Sequence, residues 1–180
     1  SHGLLREIED VKVRKQTAKM HPELNSEFIF LYPAHNMRPT EIGGILGLSQ
    51  LKRLSKNIQK RNNNFEFFLS LLDSSKYRTD LDLRGHSNYA LIVILKKSNL
   101  ELRNKVETTL FKKGIEFRRG LSGGGNQLRQ PYLQKIAKNY NLNDFPNIEH
   151  IHNYSWYIGN YPKLEKKKIM DLAAILNEIN

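Results

Sequence analysis

Between residues 39 and 72 apolar side chains recur at helical intervals: Ile42, Ile45, Leu46, Leu51, Leu54, Ile58, Phe65, Phe68, Leu69 and Leu72. That spacing places them along one side of a helix and predicts a single long amphipathic element. Pro39 suits the first helical position, and Glu41 suits the positive end of the helix dipole. Yet Gly43, Gly44 and Gly47 all stand in the opening turns. An interior glycine costs roughly 1 kcal/mol relative to alanine, so keeping three predicts close backbone approach on that side. The asparagines at 62–64 weaken the helical signal and predict a kink or break there.

Ahead of this helix, residues 4 to about 20 read as a charged helical stretch with Leu4, Leu5, Ile8 and Val11 at helical spacing, and residues 21–35 as irregular. After it the texture changes. "YALIVILKK" is a buried strand, too short to cross a membrane. Residues 99–114 predict a helix, with Asn99 as N-cap and Gly114 just past its end. "IEFRR" is a second strand, and "GLSGGGNQLRQP" a loop followed by a helix starting at Pro131. A third strand is expected within residues 148–161, and an amphipathic helix closes the chain over 162–179. The fold class is therefore α+β: a long helical arm, residues 1–75, then a small domain, residues 76–180, with a short, mostly antiparallel sheet and covering helices.

Composition narrows the functions available. The 180 residues carry a net charge of +11 and no cysteine. Disulfides, thiolate metal sites and cysteine nucleophiles are thereby excluded, and a cytoplasmic setting fits. The basic excess favours polyanionic or phosphorylated ligands, or is simply a solvated lysine-rich surface. "KRLSKNIQKR" places five cations on a helix without an acid, which fits either a solvated face or a nucleic-acid backbone. His150 and His152, two apart on the expected strand, would share a face like a metal pair, but no third ligand is in view and no metal site is assigned. The glycine-dense "SGGGN" loop exposes backbone N–H groups of the kind that bind phosphate. Arg118 and Arg119 precede it, and Asn126 and Arg129 follow. Arginine forks suit phosphate and carboxylate.

"HNMRPTEIGGILGLSQLKRLSKNIQKRN" resembles the Asn-x-Arg helix of the sugar-nucleotide aminotransferases of the DegT/StrS family, through Asn36, Arg38, Glu41, Gly43, Gly44, Gly47, Gln50, Leu51 and Arg61. His35 stands where the family has tyrosine. "IEFRRGLSGGGNQLRQPYL" and "FPNIEHIHNYSWYIGNYP" resemble the branch of nucleotide-linked 4-keto-6-deoxyhexose 3-dehydratases of lipopolysaccharide sugar synthesis, with Arg119 where that branch often has proline and extra glycines before Asn126.

The resemblance implies the C-terminal portion of a fold-type I enzyme that uses pyridoxal 5'-phosphate or pyridoxamine 5'-phosphate. Its activity would be transamination or C3 dehydration of a nucleotide-linked sugar. It implies a homodimer in which Asn36 and Arg38 reach the neighbour's cofactor phosphate or substrate, with Arg118, Asn126 and Arg129 meeting the nucleotide sugar. No residue of this chain matches the lysine or histidine at the cofactor, so no catalytic residue is assigned here. Pro39 would hold Arg38 extended and aim that loop. The competing reading is a non-catalytic basic module for nucleic acid.

Overall fold

A computed structural model describes all residues except 1–2, 23, 33–34, 36–39, 122–124 and 135–138. Its contacts divide the chain into two units, Ser1–Gln50 and Leu51–Asn180.

In the first unit a 3₁₀ turn, Leu5–Glu7, precedes helix α1, Val11–Lys19. The expected helical stretch from residue 4 is thus split. Asp10 takes an extended backbone and its carboxylate accepts from the Lys12 and Val13 amides at 2.7 and 3.2 Å, so the helix starts only after it. Leu4 and Leu5 are buried with Ile29, and the segments are tied by Leu5 N–H to Ile29 C=O at 2.8 Å.

Helix α2 runs unbroken over Glu41–Leu71. The expected break at the asparagines does not occur, and the side chains of Asn62 and Asn64 have partners off the helix. Asn62 Nδ2 donates to the His86 carbonyl at 3.0 Å, and Asn64 Nδ2 donates to Asn160 Oδ1 at 3.2 Å. The expected packing of the glycine side is also absent among the described residues. A Cβ at Gly44 or Gly47 meets nothing within 4 Å, and one at Gly43 meets only Thr40 Oγ1 at 3.7 Å. The apolar stripe is only partly used: Phe65, Phe68 and Leu69 are buried, whereas Ile42, Ile45, Leu46, Leu51 and Leu54 are exposed.

The second unit holds a three-stranded antiparallel sheet in the order β1-β3-β2: β1 is Ala90–Ile94, β2 is Arg118–Arg119 and β3 is Ser155–Gly159. Val93 lies opposite Trp156, and Arg118 opposite Tyr157. Helix α3, Leu100–Lys112, is capped by Asn99 as expected, with the Asn99 Oδ1 accepting from the Leu102 amide at 2.9 Å. Helix α4 is described over Pro131–Gln134, and α6 spans Lys166–Glu178. One core joins Phe65 and Phe68 of α2, Val93 of β1, Val106 and Leu110 of α3, Trp156 of β3, and Ile169 and Leu176 of α6.

The C-terminal carbonyls of α2 and α6, which helices leave unpaired, are met by α6 and by the segment that follows α2. Asn177 Nδ2 donates to Leu71 C=O at 2.8 Å, while Tyr77 Oη donates to Leu176 C=O at 2.8 Å. The Lys76 ammonium donates to the Asn177 and Ile179 carbonyls at 2.6 and 2.9 Å. A cation placed at a helix C-terminus also complements its dipole.

The expected third strand is preceded by a helix: α5 covers Pro146–Tyr154, and β3 begins only at Ser155. Proline at the first helical position favours that start. No helix among the described residues is long and apolar enough to cross a membrane.

Candidate substrate-side site

Strand alternation decides what each arginine of "FRRG" can do. Trp156 and Ile158 of β3 are buried on the helix-covered face, so Tyr157 between them points to the other. Arg118 lies opposite Tyr157 and shares its open face, where the Tyr157 ring meets Tyr89 edge-on at 5.9 Å. Arg118 is exposed, with Glu116 the nearest carboxylate at 3.8 Å. Arg119 lies opposite Trp156, and its guanidinium binds Glu107 of α3 at 2.7 Å. The same carboxylate accepts from Trp156 Nε1 at 2.9 Å. Arg119 is thereby committed to joining sheet and helix, whereas Arg118 faces outward.

The chain then turns sharply. Gly120 has φ +80° and donates to the Ser155 carbonyl at 2.9 Å. Leu121 follows at φ +56°, the only non-glycine with positive φ among the described residues. A left-handed leucine costs on the order of 1 kcal/mol or more, so its surroundings must impose it.

At the far end of the loop Gly125 has φ +86°. Asn126 is buried. Its N–H donates to His152 Nδ1 at 3.1 Å, its Nδ2 donates to Glu149 Oε1 at 2.7 Å, and its Oδ1 accepts from the Leu128 amide at 3.0 Å. Arg129 grips the same carboxylate, through Nε at 3.0 and 3.2 Å and through Nη2 to Oε2. The structure therefore brings Asn126 and Arg129 together around Glu149, and sets Arg118 on the open sheet face before the loop.

The hydrogen bonds from Arg129 hold the Glu149 carboxyl below its ordinary value; burial opposes them and Asn126 adds to them. A carboxyl whose folded-state value is depressed binds protons more readily when unfolded. Its contribution is present above the usual carboxylate range and is lost as pH falls through the lower folded value. Urea midpoints measured from pH 7 downwards should therefore drop more steeply below about pH 4.5 for the unsubstituted chain than for Glu149→Gln. Parallel curves would show that the pair contributes nothing to stability.

The histidine pair needs correcting. His150 and His152 lie on helix α5, where two residues subtend about 200°, so they do not share a face. His150 Nε2 donates to Leu95 C=O at 2.7 Å, and His152 Nδ1 accepts from Asn126. Among the described residues no cluster of acids or histidines has the makings of a metal site. Asn36 and Arg38 lie outside the described residues. Sequence reasoning missed Glu149 and His152 as partners of the loop, and Tyr157 as the neighbour of Arg118. The "IEHIH" run carried the first two, but only a helical reading of it puts them one turn apart.

The residue pattern of the DegT/DnrJ/EryC1/StrS aminotransferase family matches residues 3–177. The chain belongs to this family. Over 163 residues it is 29% identical to a GDP-4-keto-6-deoxy-D-mannose 3-dehydratase of Escherichia coli, covering 89% of this chain and 41% of that protein. It is 24% identical over 154 residues to the lipopolysaccharide biosynthesis protein RfbH of Salmonella typhimurium, covering 83% and 35%. A solved structure of the E. coli GDP-4-keto-6-deoxy-D-mannose-3-dehydratase with bound hydrated PLP superposes with a TM-score of 0.71 at 28% identity, over 84% of this chain and 39% of that one. This DegT-family chain thus spans less than half the length of these relatives.

Among the described residues no lysine is placed to carry the cofactor of such enzymes. A lysine that carries it must be desolvated and free, yet every described lysine is exposed except Lys76, whose ammonium is taken up by the end of α6.

Proposed function

We propose that the chain supplies the substrate-side part of a cytoplasmic, pyridoxal- or pyridoxamine-phosphate-dependent enzyme that dehydrates or transaminates a nucleotide-linked 4-keto-6-deoxy sugar for lipopolysaccharide synthesis. The observation that carries this reading is a loop fixed at both ends beside an outward arginine, within the residues that the family pattern matches. Arg118 is the residue proposed to meet the diphosphate directly, since it is exposed and next to the Tyr157 ring. At the loop's far end Arg129 lines the same ligand, and Asn126, whose side chain is buried, contributes by holding the backbone there. Asn36 and Arg38 are proposed to serve a cofactor phosphate across a homodimer. The exposed Ile42, Ile45, Leu46 and Leu48 of α2 form the surface that a second copy would cover.

GDP is the probe, because it is the nucleotide named in the E. coli relative. In a ¹⁵N-resolved titration of this chain, GDP should shift the amides of residues 118–129 saturably, and should do so before the lysines of α2 respond. Absence of any shift there at about 10 mM GDP, a concentration that detects even millimolar affinity, overturns the assignment. Salt-steep binding of an oligonucleotide centred on Lys52, Lys56 and Lys60 would favour the nucleic-acid module instead.

A further inference from the structure

The carboxylate at the centre of this loop anchor has the wrong sign for its surroundings. A diphosphate binder gains from positive charge, yet Glu149 sits between Asn126 and Arg129 and neutralises the latter. Its geometry explains its presence better than its charge does. One Glu149 oxygen accepts from both Asn126 Nδ2 and Arg129 Nε, so it fixes the two side chains relative to each other. One turn further along α5, His152 Nδ1 takes the Asn126 backbone N–H. That N–H donor also sets the histidine's tautomer, because Nδ1 must carry the lone pair.

Gly125 completes the fit. A Cβ there would run into the His152 ring, with Cγ at 3.1 Å and the His152 Cα at 3.0 Å. The backbone of residues 125–126 is therefore pressed directly onto α5. Asn126 uses its amide N–H, its Oδ1 and its Nδ2 inside the protein, at 3% exposure. A residue so placed offers little of its own side chain to a ligand. It is suited to holding the backbone ahead of it.

We propose that Glu149 and His152 are positioning residues for ligand binding, which fix Gly125 and Asn126 and so set the C-terminal post of the loop that follows Arg118. This rests on the reading that Arg118 and residues 125–129 meet the nucleotide. Neither residue touches the ligand; His152 acts through Asn126, and Glu149 through Asn126 and Arg129.

The sign of one substitution separates this role from simple electrostatics. Glu149→Gln removes a negative charge near the proposed anion site, so electrostatics alone requires GDP to bind more tightly. Positioning requires it to bind about tenfold more weakly, since Asn126 and Arg129 lose their common anchor. His152→Leu should speed hydrogen exchange at the Asn126 amide about tenfold and weaken GDP by a similar factor. His152→Asn, whose Oδ1 restores an acceptor near the Nδ1 position, should recover most of both, and a merely space-filling role would show no such rescue. Urea midpoints check that each variant remains folded. Tighter GDP binding by Glu149→Gln, or Asn126 exchange unchanged in His152→Leu, overturns the proposal. A chain that never binds GDP overturns the ligand reading, whereas equal GDP affinity in all variants overturns the positioning role alone.

Discussion

Gly125→Ala is expected to release the glycine-rich loop from α5. Two costs add. At φ +86° a residue with a Cβ is strained by about 1–2 kcal/mol. The new methyl also meets His152 at its ring and at its Cα. A flexible side-chain tip would swing aside cheaply, but the Cα is backbone of a helix and does not. Relief must come from moving the loop, which gives up the Asn126 N–H to Nδ1 bond, worth about 0.5–1.5 kcal/mol. The Asn126 and Leu128 amides should lose protection in hydrogen exchange by at least about tenfold, equivalent to the lower part of that total. Gly44→Ala is the counter-case. Its Cβ meets nothing within 4 Å on an exposed helix, so alanine should stabilise by up to roughly 1 kcal/mol. If exchange at Asn126 is the same in Gly125→Ala as in the unsubstituted chain, the close approach to His152 does not exist in solution.

That contrast between two glycines shows what is legible in the sequence. Both look alike as letters. Glycine at 125 is explained by a positive φ and a neighbouring histidine 27 residues away, information that no local pattern holds. Glycine at 44 suggests close packing, but among the described residues nothing lies within 4 Å of a Cβ placed there. Periodicity is equally one-sided about α2: it identifies an apolar stripe from Ile42 to Leu72, and yet only its C-terminal part is covered here. The spacing of apolar residues marks which face of a helix avoids water, not what lies on that face. Local chemistry is legible where it is self-contained. The Asn99 cap lies three residues from the amide it serves, and β1 is a continuous apolar run. The segment at 146–154 misleads through its period, because Ile148, His150, His152 and Tyr154 alternate like a strand. Its proline at the first helical position is the better signal. The Arg129–Glu149 pair, 20 residues apart in sequence, follows only once that segment is a helix.

Trp156→Ala should be the most destabilising single change in the second unit. Trp156 is fully buried in the central strand, with Val93 opposite it on one side and Arg119 on the other. Truncation removes the largest fully buried side chain and leaves a cavity flanked by strands that cannot close on it, which costs about 3–5 kcal/mol. Trp156→Phe separates two contributions. It keeps most of the volume and loses the indole N–H that donates to Glu107 at 2.9 Å. Glu107 still holds Arg119, so its carboxylate is not orphaned, and the phenylalanine variant should lose less than the alanine one. The consequence extends beyond stability. Residues Arg118–Arg119 form a strand of two residues whose strand pairing, among the described residues, is with β3, and Gly120 also donates to β3, through Ser155. Loosening β3 at Trp156 frees the segment that carries Arg118, so the Gly120 amide should lose hydrogen-exchange protection in Trp156→Ala before the fold is lost. A urea midpoint shifted by less than the equivalent of about 1 kcal/mol would mean that the strand tolerates the cavity, and that β2 draws its order from elsewhere.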